Sequence, residues 1–255
     1  MKTDAGDKWR SALGLWAIPK EILDQATESP WIHPPTVFQL PATIQDSPSH
    51  RKAREVSPQS FLDIGCGGGI AAFATDASLV IGVDHQPEML KMFRENALQK
   101  SREVQVFEGF WPEISSEVPK ADVVAAHHVL YNVQEVEDFL LAMNSHAQKR
   151  VVIEIPQRHP QSPASGMWKH FWNIDRPTVP SPDDLMDVIS SLDISAECQL
   201  WEGPLRRETD IDQEAEFSRI RLCLPESRRS EVKDYLESHP SPDTRPLATI
   251  WWDVN

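Results

Sequence analysis

Short apolar runs alternate with amphipathic stretches along most of this 255-residue chain. Runs at 61–64, 80–83, 104–107, 121–126, 150–155, about 194–201 and 247–254 read as strands, the first with the composition of one buried on both faces. Between them, 87–100 places Met89, Leu90, Phe93 and Ala97 on one helical face. The Ala-rich stretch 70–77 predicts a short helix, and 136–147 and 182–192 predict longer ones. Residues 212–238 read as helix in two pieces, broken at Pro225. Upstream, Trp9, Leu13, Trp16, Ile22, Leu23 and Ala26 form an amphipathic pattern that predicts two short helices broken near Pro19. A further short helix is expected to begin over 37–40. Ser47 followed by Pro48 is a helix start, with Ser as cap and Pro at the first position. Strands alternating with helices predict one α/β domain built on a doubly wound, mostly parallel sheet.

The joint between the first two strands carries the chemistry. Gly65, Gly67, Gly68 and Gly69 allow a tight turn and close approach of a ligand to backbone. Asp84 ends the second strand, where an acid can accept both ribose hydroxyls of a nucleoside. A dinucleotide site would have a third glycine at position 70, which is Ile here. Asp63 beside the loop would repel a pyrophosphate but can orient a cationic ligand. The string Leu62-Asp-Ile-Gly-Cys-Gly-Gly-Gly69 resembles the first motif of the class I S-adenosylmethionine-dependent methyltransferases, and Gly82-Val-Asp84 resembles their second-strand motif. The resemblance covers about 48–160; the competing reading is another nucleotide-binding Rossmann variant.

That resemblance implies a Rossmann-like seven-stranded sheet whose last strand is antiparallel and inserted beside the fifth, the place 247–254 would take. It implies S-adenosylmethionine as cofactor and S-adenosylhomocysteine as product. Asp63, Gly65, Cys66, Gly67 and Gly69 would hold the amino-acid end, Asp84 the ribose, and His85 and Met89 the adenine. Many family members have an acid directly after the glycine that matches Gly109; Phe110 stands there. The backbone of Phe110 or the ring of Trp111 would then serve the adenine, unless both rings pack under the loop.

The end of the fourth strand, His127-His128-Val-Leu-Tyr131, resembles the family's fourth motif, which faces the methionine arm and the methyl group. A histidine there can take a proton from an acceptor near neutral pH. His128 is the first candidate, with His127 and Tyr131 beside it; the competing reading is a hydrogen-bonded histidine supporting the loop. Glu154 interrupts an apolar strand and needs a partner if buried. It either points into the site or pairs with Arg158 or Arg176. Residues 1–46 form a helical N-terminal cap, 48–160 the cofactor-binding core, 158–182 an aromatic and proline-rich lid, and 183–255 the C-terminal half of the sheet. By analogy the cap and lid wall the acceptor, with Trp16, Trp31, His33, Arg158, Trp168 and Trp172 as candidates. A plain hydrophobic core for the lid is the alternative.

Composition narrows the partners. Net charge is −14 with a pI near 5.0, which disfavours a phosphate-tracking surface and so nucleic acid. Three cysteines at unrelated positions make neither a disulfide framework nor a metal site. No signal-like or membrane-spanning apolar run occurs, so the cytoplasm is the expected location. The nine tryptophans are interleaved with many of the 21 prolines, which reads as ordered loops. The expectation is an enzyme that methylates oxygen or nitrogen of a small molecule (EC 2.1.1). The alternative is a cofactor-binding sensor or pseudoenzyme that docks a partner through its tryptophan-rich caps.

Overall fold

Five parallel strands set the frame: β1 (Ser60–Ile64), β2 (Leu79–Asp84), β3 (Glu103–Glu108), β4 (Ala121–His127) and β5 (Ala147–Pro156). The computed structural model describes residues 2–31, 38–205 and 210–254. Two more strands, β6 (Glu197–Pro204) and β7 (Thr244–Asp253), complete a sheet of order β3-β2-β1-β4-β5-β7-β6. β7 runs antiparallel to both neighbours and lies between β5 and β6, as the resemblance implied. The interior strands are near-continuous apolar runs because helices cover both faces. Val151 to Ile155 is buried throughout, Glu154 included.

Helices α1 (Asp4–Gly14), α6 (Val136–His146) and α8 (Pro182–Ser191) pack on one face. Helices α3 (Pro48–Arg54), α4 (Ile70–Phe73) and α5 (Pro87–Gln99) cover the other. α4 stops earlier than the predicted 70–77. The Thr75 hydroxyl caps the carbonyl of Ala72, and Arg54 and Arg102 take the carbonyls of Ala74 and Ala77, so the freed groups are satisfied without another turn. The helix predicted from Ser47 is α3, with the Ser47 hydroxyl accepting from the His50 amide. The short helix expected over 37–40 falls partly outside the described residues.

A third, smaller core lies outside the sheet. There α2 (Lys20–Leu23), α7 (Ser165–Trp172), α9 (Ile211–Arg221) and α10 (Arg229–Ser238) bury Ile18, Ile22, Trp168, Leu222 and Leu236 together. The helices between β6 and β7 therefore leave the sheet and join the 158–182 segment. Among the described residues no helix is long and apolar enough to cross a membrane, and the three cysteines are free.

The N-terminal helix is a fixed part of this body. Trp9 is fully buried, stacks on Tyr131 and donates its indole N–H to the Val133 carbonyl at 2.9 Å. Glu137, also buried, accepts the Thr3 amide at 3.0 Å. Gly6 faces that carboxylate so closely that a side chain would collide with it. Trp9→Ala is expected to destabilise the protein by about 3–5 kcal/mol. Trp31→Ala, at a residue 54% exposed, should stay within about 0.5 kcal/mol. Denaturant midpoints of the two variants check this.

Candidate active site

The parallel strands deliver their carboxyl ends to one edge, where a doubly wound sheet binds its ligands. β1 turns there through Gly65 to Gly69. Two amides of the turn, Gly65 and Cys66, donate to the Val83 carbonyl, which ties the loop to β2. Gly65 has φ +67, and a Cβ there would sit 2.6 Å from Val129, so glycine is required twice over. Gly68 receives the backbone of Phe38 in close contact, which no side chain would permit, and its carbonyl accepts from Asn96. The segment after residue 37 thus crosses the outside of the loop.

Asp84 stands at the tip of β2. One carboxylate oxygen accepts the Gly67 amide at 3.2 Å and the other the Gln86 amide at 3.0 Å. Each oxygen retains a lone pair for a ligand hydroxyl. Asp63 is 2% exposed and accepts one long bond from the Ala72 amide, at 3.3 Å. Burial pushes its pKa well up; the Ala72 bond works against this, and the nearby Asp84 charge adds to it. Cys66 is buried in the same turn, and its thiol is likewise pushed up by burial and the two acids.

His85 and Phe110 stack with centroids 4.7 Å apart and planes 17° from parallel, and Phe110 is 59% exposed. Met89 is buried in the first turn of α5, and Gly109 donates to the Asp84 carbonyl at 3.0 Å. Trp111 is different: it is buried against α6, donates to the Phe139 carbonyl and meets His146 edge-on. This corrects the expectation that Trp111 serves the adenine; its indole is committed to the core.

Register brings the second cluster together. His127 of β4, Glu154 of β5 and Thr249 of β7 are lateral neighbours, so they share a face of the sheet. α3 covers that face. Ser47 donates to one Glu154 oxygen at 3.2 Å, and Ser49 and Thr249 share a 2.6 Å hydrogen bond. His50 stacks over His127 at 5.8 Å. His128, just past the strand end, has φ 61, a strained value for a residue with a Cβ. Its amide donates to the Glu154 carbonyl at 2.7 Å, and its Nε2 lies 3.1 Å from Glu154 Oε1. Burial works against the Glu154 charge, but His127, His128 and the Ser49 hydroxyl outweigh it and hold the carboxyl well below the usual range. Burial lowers His127 to about 4, so it is neutral at pH 7. Glu154 is therefore partnered by His128 and Ser47, not by Arg158 or Arg176.

The remaining predicted residues separate. The Tyr131 hydroxyl donates to the Pro156 carbonyl at 2.8 Å, and burial and Asp184 push its pKa up. This corrects the placing of Tyr131 beside the acceptor. His159 meets Tyr131 edge-on and stacks on Trp16 at 4.1 Å; burial lowers its pKa to about 4. Trp16 donates to the Val179 carbonyl, and Arg176 lies over both Trp16 and Trp168. Trp168 and Trp172 belong to the third core, with the Trp172 indole on the Leu222 carbonyl. These rings join cap to lid as core. Arg158 and Trp31 are exposed, and His33 lies outside the described residues. Ser47, Ser49, His50, Thr249 and Arg245 were not singled out from sequence. Ser47 alone carried a signal, as a helix cap.

Residues 61–149 match the family model described as a methyltransferase domain. The YcgJ protein from Bacillus subtilis superposes with a TM-score of 0.51 at 16% identity, covering 77% of this chain and 92% of that one. Precorrin 8w decarboxylase from Methanobacterium thermoautotrophicum gives 0.50 at 14%, covering 92% and 98%. A putative methyltransferase from Bacillus halodurans gives 0.50 at 12%, covering 81% and 97%. No curated protein matches the sequence. Fold and loop together define a Rossmann-like S-adenosylmethionine-binding domain. The matched segment and the fold make this chain similar to the class I S-adenosylmethionine-dependent methyltransferases. The cofactor is S-adenosylmethionine, and the residues at the edge fit it. A glycine cradle that side chains would fill, an acid with free lone pairs at the β2 tip and a buried acid below suit a cationic nucleoside.

Asp63→Asn tests the buried acid. A carboxyl whose folded pKa is raised loses stability as pH climbs through that value. The ligand-free Asn variant should therefore melt above wild type, by a margin that grows from about pH 4 upward. It should also bind S-adenosylhomocysteine more weakly. Melting curves across pH and a calorimetric titration check both signs.

Proposed function

We propose that this protein transfers a methyl group to oxygen or nitrogen of a small-molecule acceptor. The observation that carries the reading is one juxtaposition. The glycine loop with its two acids shares an edge with His128, which is held in a strained conformation against a buried carboxylate. When bound, S-adenosylmethionine supplies an electrophilic methyl on a sulfonium. Asp84 accepts the ribose hydroxyls, His85 and Phe110 offer ring faces to the adenine, and Asp63 faces the positive charge. His128 takes the acceptor's proton. The chain's main contribution is alignment and exclusion of water, a proximity effect.

Partner docking through the tryptophans is poorly supported. Trp9, Trp16, Trp111, Trp168, Trp251 and Trp252 are buried. The net charge of −14 argues against nucleic acid as acceptor. An exposed free thiol at Cys198 suits a reducing compartment, which supports the cytoplasm.

Calorimetric titration with S-adenosylmethionine and S-adenosylhomocysteine tests the reading. Saturable binding of both is expected, with Asp84→Ala weakening each at least tenfold. Absence of binding to folded protein would sink it. Once an acceptor is found, His128→Ala should lower turnover by about 10²–10⁴-fold.

A further inference from the structure

Two groups of opposite charge claim one nitrogen of His128. Nε2 is 3.1 Å from Glu154 Oε1 and 3.2 Å from a terminal nitrogen of Arg245. A neutral ring nitrogen holds either a proton or a lone pair. With a proton, Nε2 donates to Glu154; with a lone pair, it accepts from Arg245. It cannot do both. Nδ1 is buried and, among the described residues, makes no hydrogen bond. In the first arrangement Nδ1 is a bare lone pair, ready to receive a proton. In the second it is a buried N–H with no acceptor.

The carboxylate has the stronger claim. Its hydrogen bond is charge-assisted, and a buried carboxylate needs every donor within reach. Glu154 is also fixed on three sides: by its place in β5, by Ser47 and by the His128 amide on its own carbonyl. Arg245 is half-buried at the start of β7 and approaches from the opposite strand. The other titratable groups packed here are His127, the last residue of β4 and the one before His128, and His50 of α3, stacked on His127. Burial lowers the pKa of both. Among the described residues, Glu154 and Arg245 are thus the charged groups in direct contact with the ring.

We infer that Glu154 and Arg245 are opposed positioning residues for His128: the carboxylate selects the Nε2–H tautomer and strengthens Nδ1 as proton acceptor, and the guanidinium weakens it. This rests on the reading of His128 as the group that takes the acceptor's proton. It narrows the acceptors to molecules whose reactive oxygen or nitrogen carries a proton. That proton moves to Nδ1, the electron pair of the broken bond stays on the acceptor atom, and the imidazolium so formed is stabilised by Glu154.

The test is a pH titration of the His128 ring by long-range ¹H–¹⁵N NMR, with His128→Ala assigning the signal. Wild type should show the Nε2–H tautomer. Glu154→Gln should lower the proton affinity of the ring at least tenfold, since it removes a carboxylate in hydrogen-bond contact with Nε2. Glu154→Asp should restore part of it. Arg245→Met should raise the affinity several-fold. Opposite signs are what a merely structural pair would not give. Wild type in the Nδ1–H tautomer, or shifts that vanish or share a sign, would overturn the inference. If Glu154→Gln does not fold, the Arg245→Met shift decides, because that residue lies at the partly exposed rim. Titration with S-adenosylhomocysteine runs in parallel. Its failure in wild type would remove the methyltransferase reading while the tautomer result stood on its own.

Discussion

A carboxylate placed inside an apolar strand must be met by donors from elsewhere, and Glu154 imposes that condition on half of this structure. It is 6% exposed. Its donors come from the start of α3 and from the residue after β4, so the sequence before β1 must return to lie against β5. The same return seats Ser49 on Thr249 of β7 and His50 on His127. One buried charge thereby links helix, parallel strands and antiparallel strand at the edge where the glycine loop opens. An uncompensated charge in that position would cost several kcal/mol. The left-handed backbone of His128 is a smaller cost carried by the same network.

The two halves of the edge follow opposite electrostatic logic. Around Glu154 the surroundings favour the ionised carboxyl, through histidines and hydroxyls. Around Asp63 they disfavour it, through burial, one long hydrogen bond and a neighbouring acid. Carboxyls in one sheet are thus driven in different directions by what surrounds them. That division is written in backbone register more than in composition.

Much of this could be read before the fold was known. The strand–glycine–strand–acid string located the cofactor edge, because glycine where φ is positive and an acid at a strand tip are local requirements. The apolar runs marked all seven strands, and the antiparallel place of the last strand beside the fifth came with the family resemblance. What escaped was non-local. Arg245 sits in a proline-rich stretch with no periodicity, and only the folding of β7 between β5 and β6 brings it to His128. Ser49 and Thr249 look like ordinary polar residues until they pair across the sheet. The aromatic residues misled in part: Trp111, Trp168 and Trp172 have the composition of a ligand box, but each indole or ring is taken up by the chain itself. Phe110, by contrast, departs from the family pattern and is the ring left open.

The position of β7 has a bearing on how the molecule is made. It follows β6 in the chain but lies between β5 and β6. On a ribosome, β5 and β6 emerge before β7, which follows β6 by about forty residues of helix and connection; until then β6 has no partner strand and β5 has only β4. During that interval the half of the sheet bearing Glu154 and its face of apolar side chains stays open. The helices α9 and α10, which assemble with α7 in a core of their own, give the waiting chain something to fold against. The apolar edge of β5 is then sealed only when β7 slides in, and Thr249 meets Ser49 and Arg245 meets His128 at that same moment.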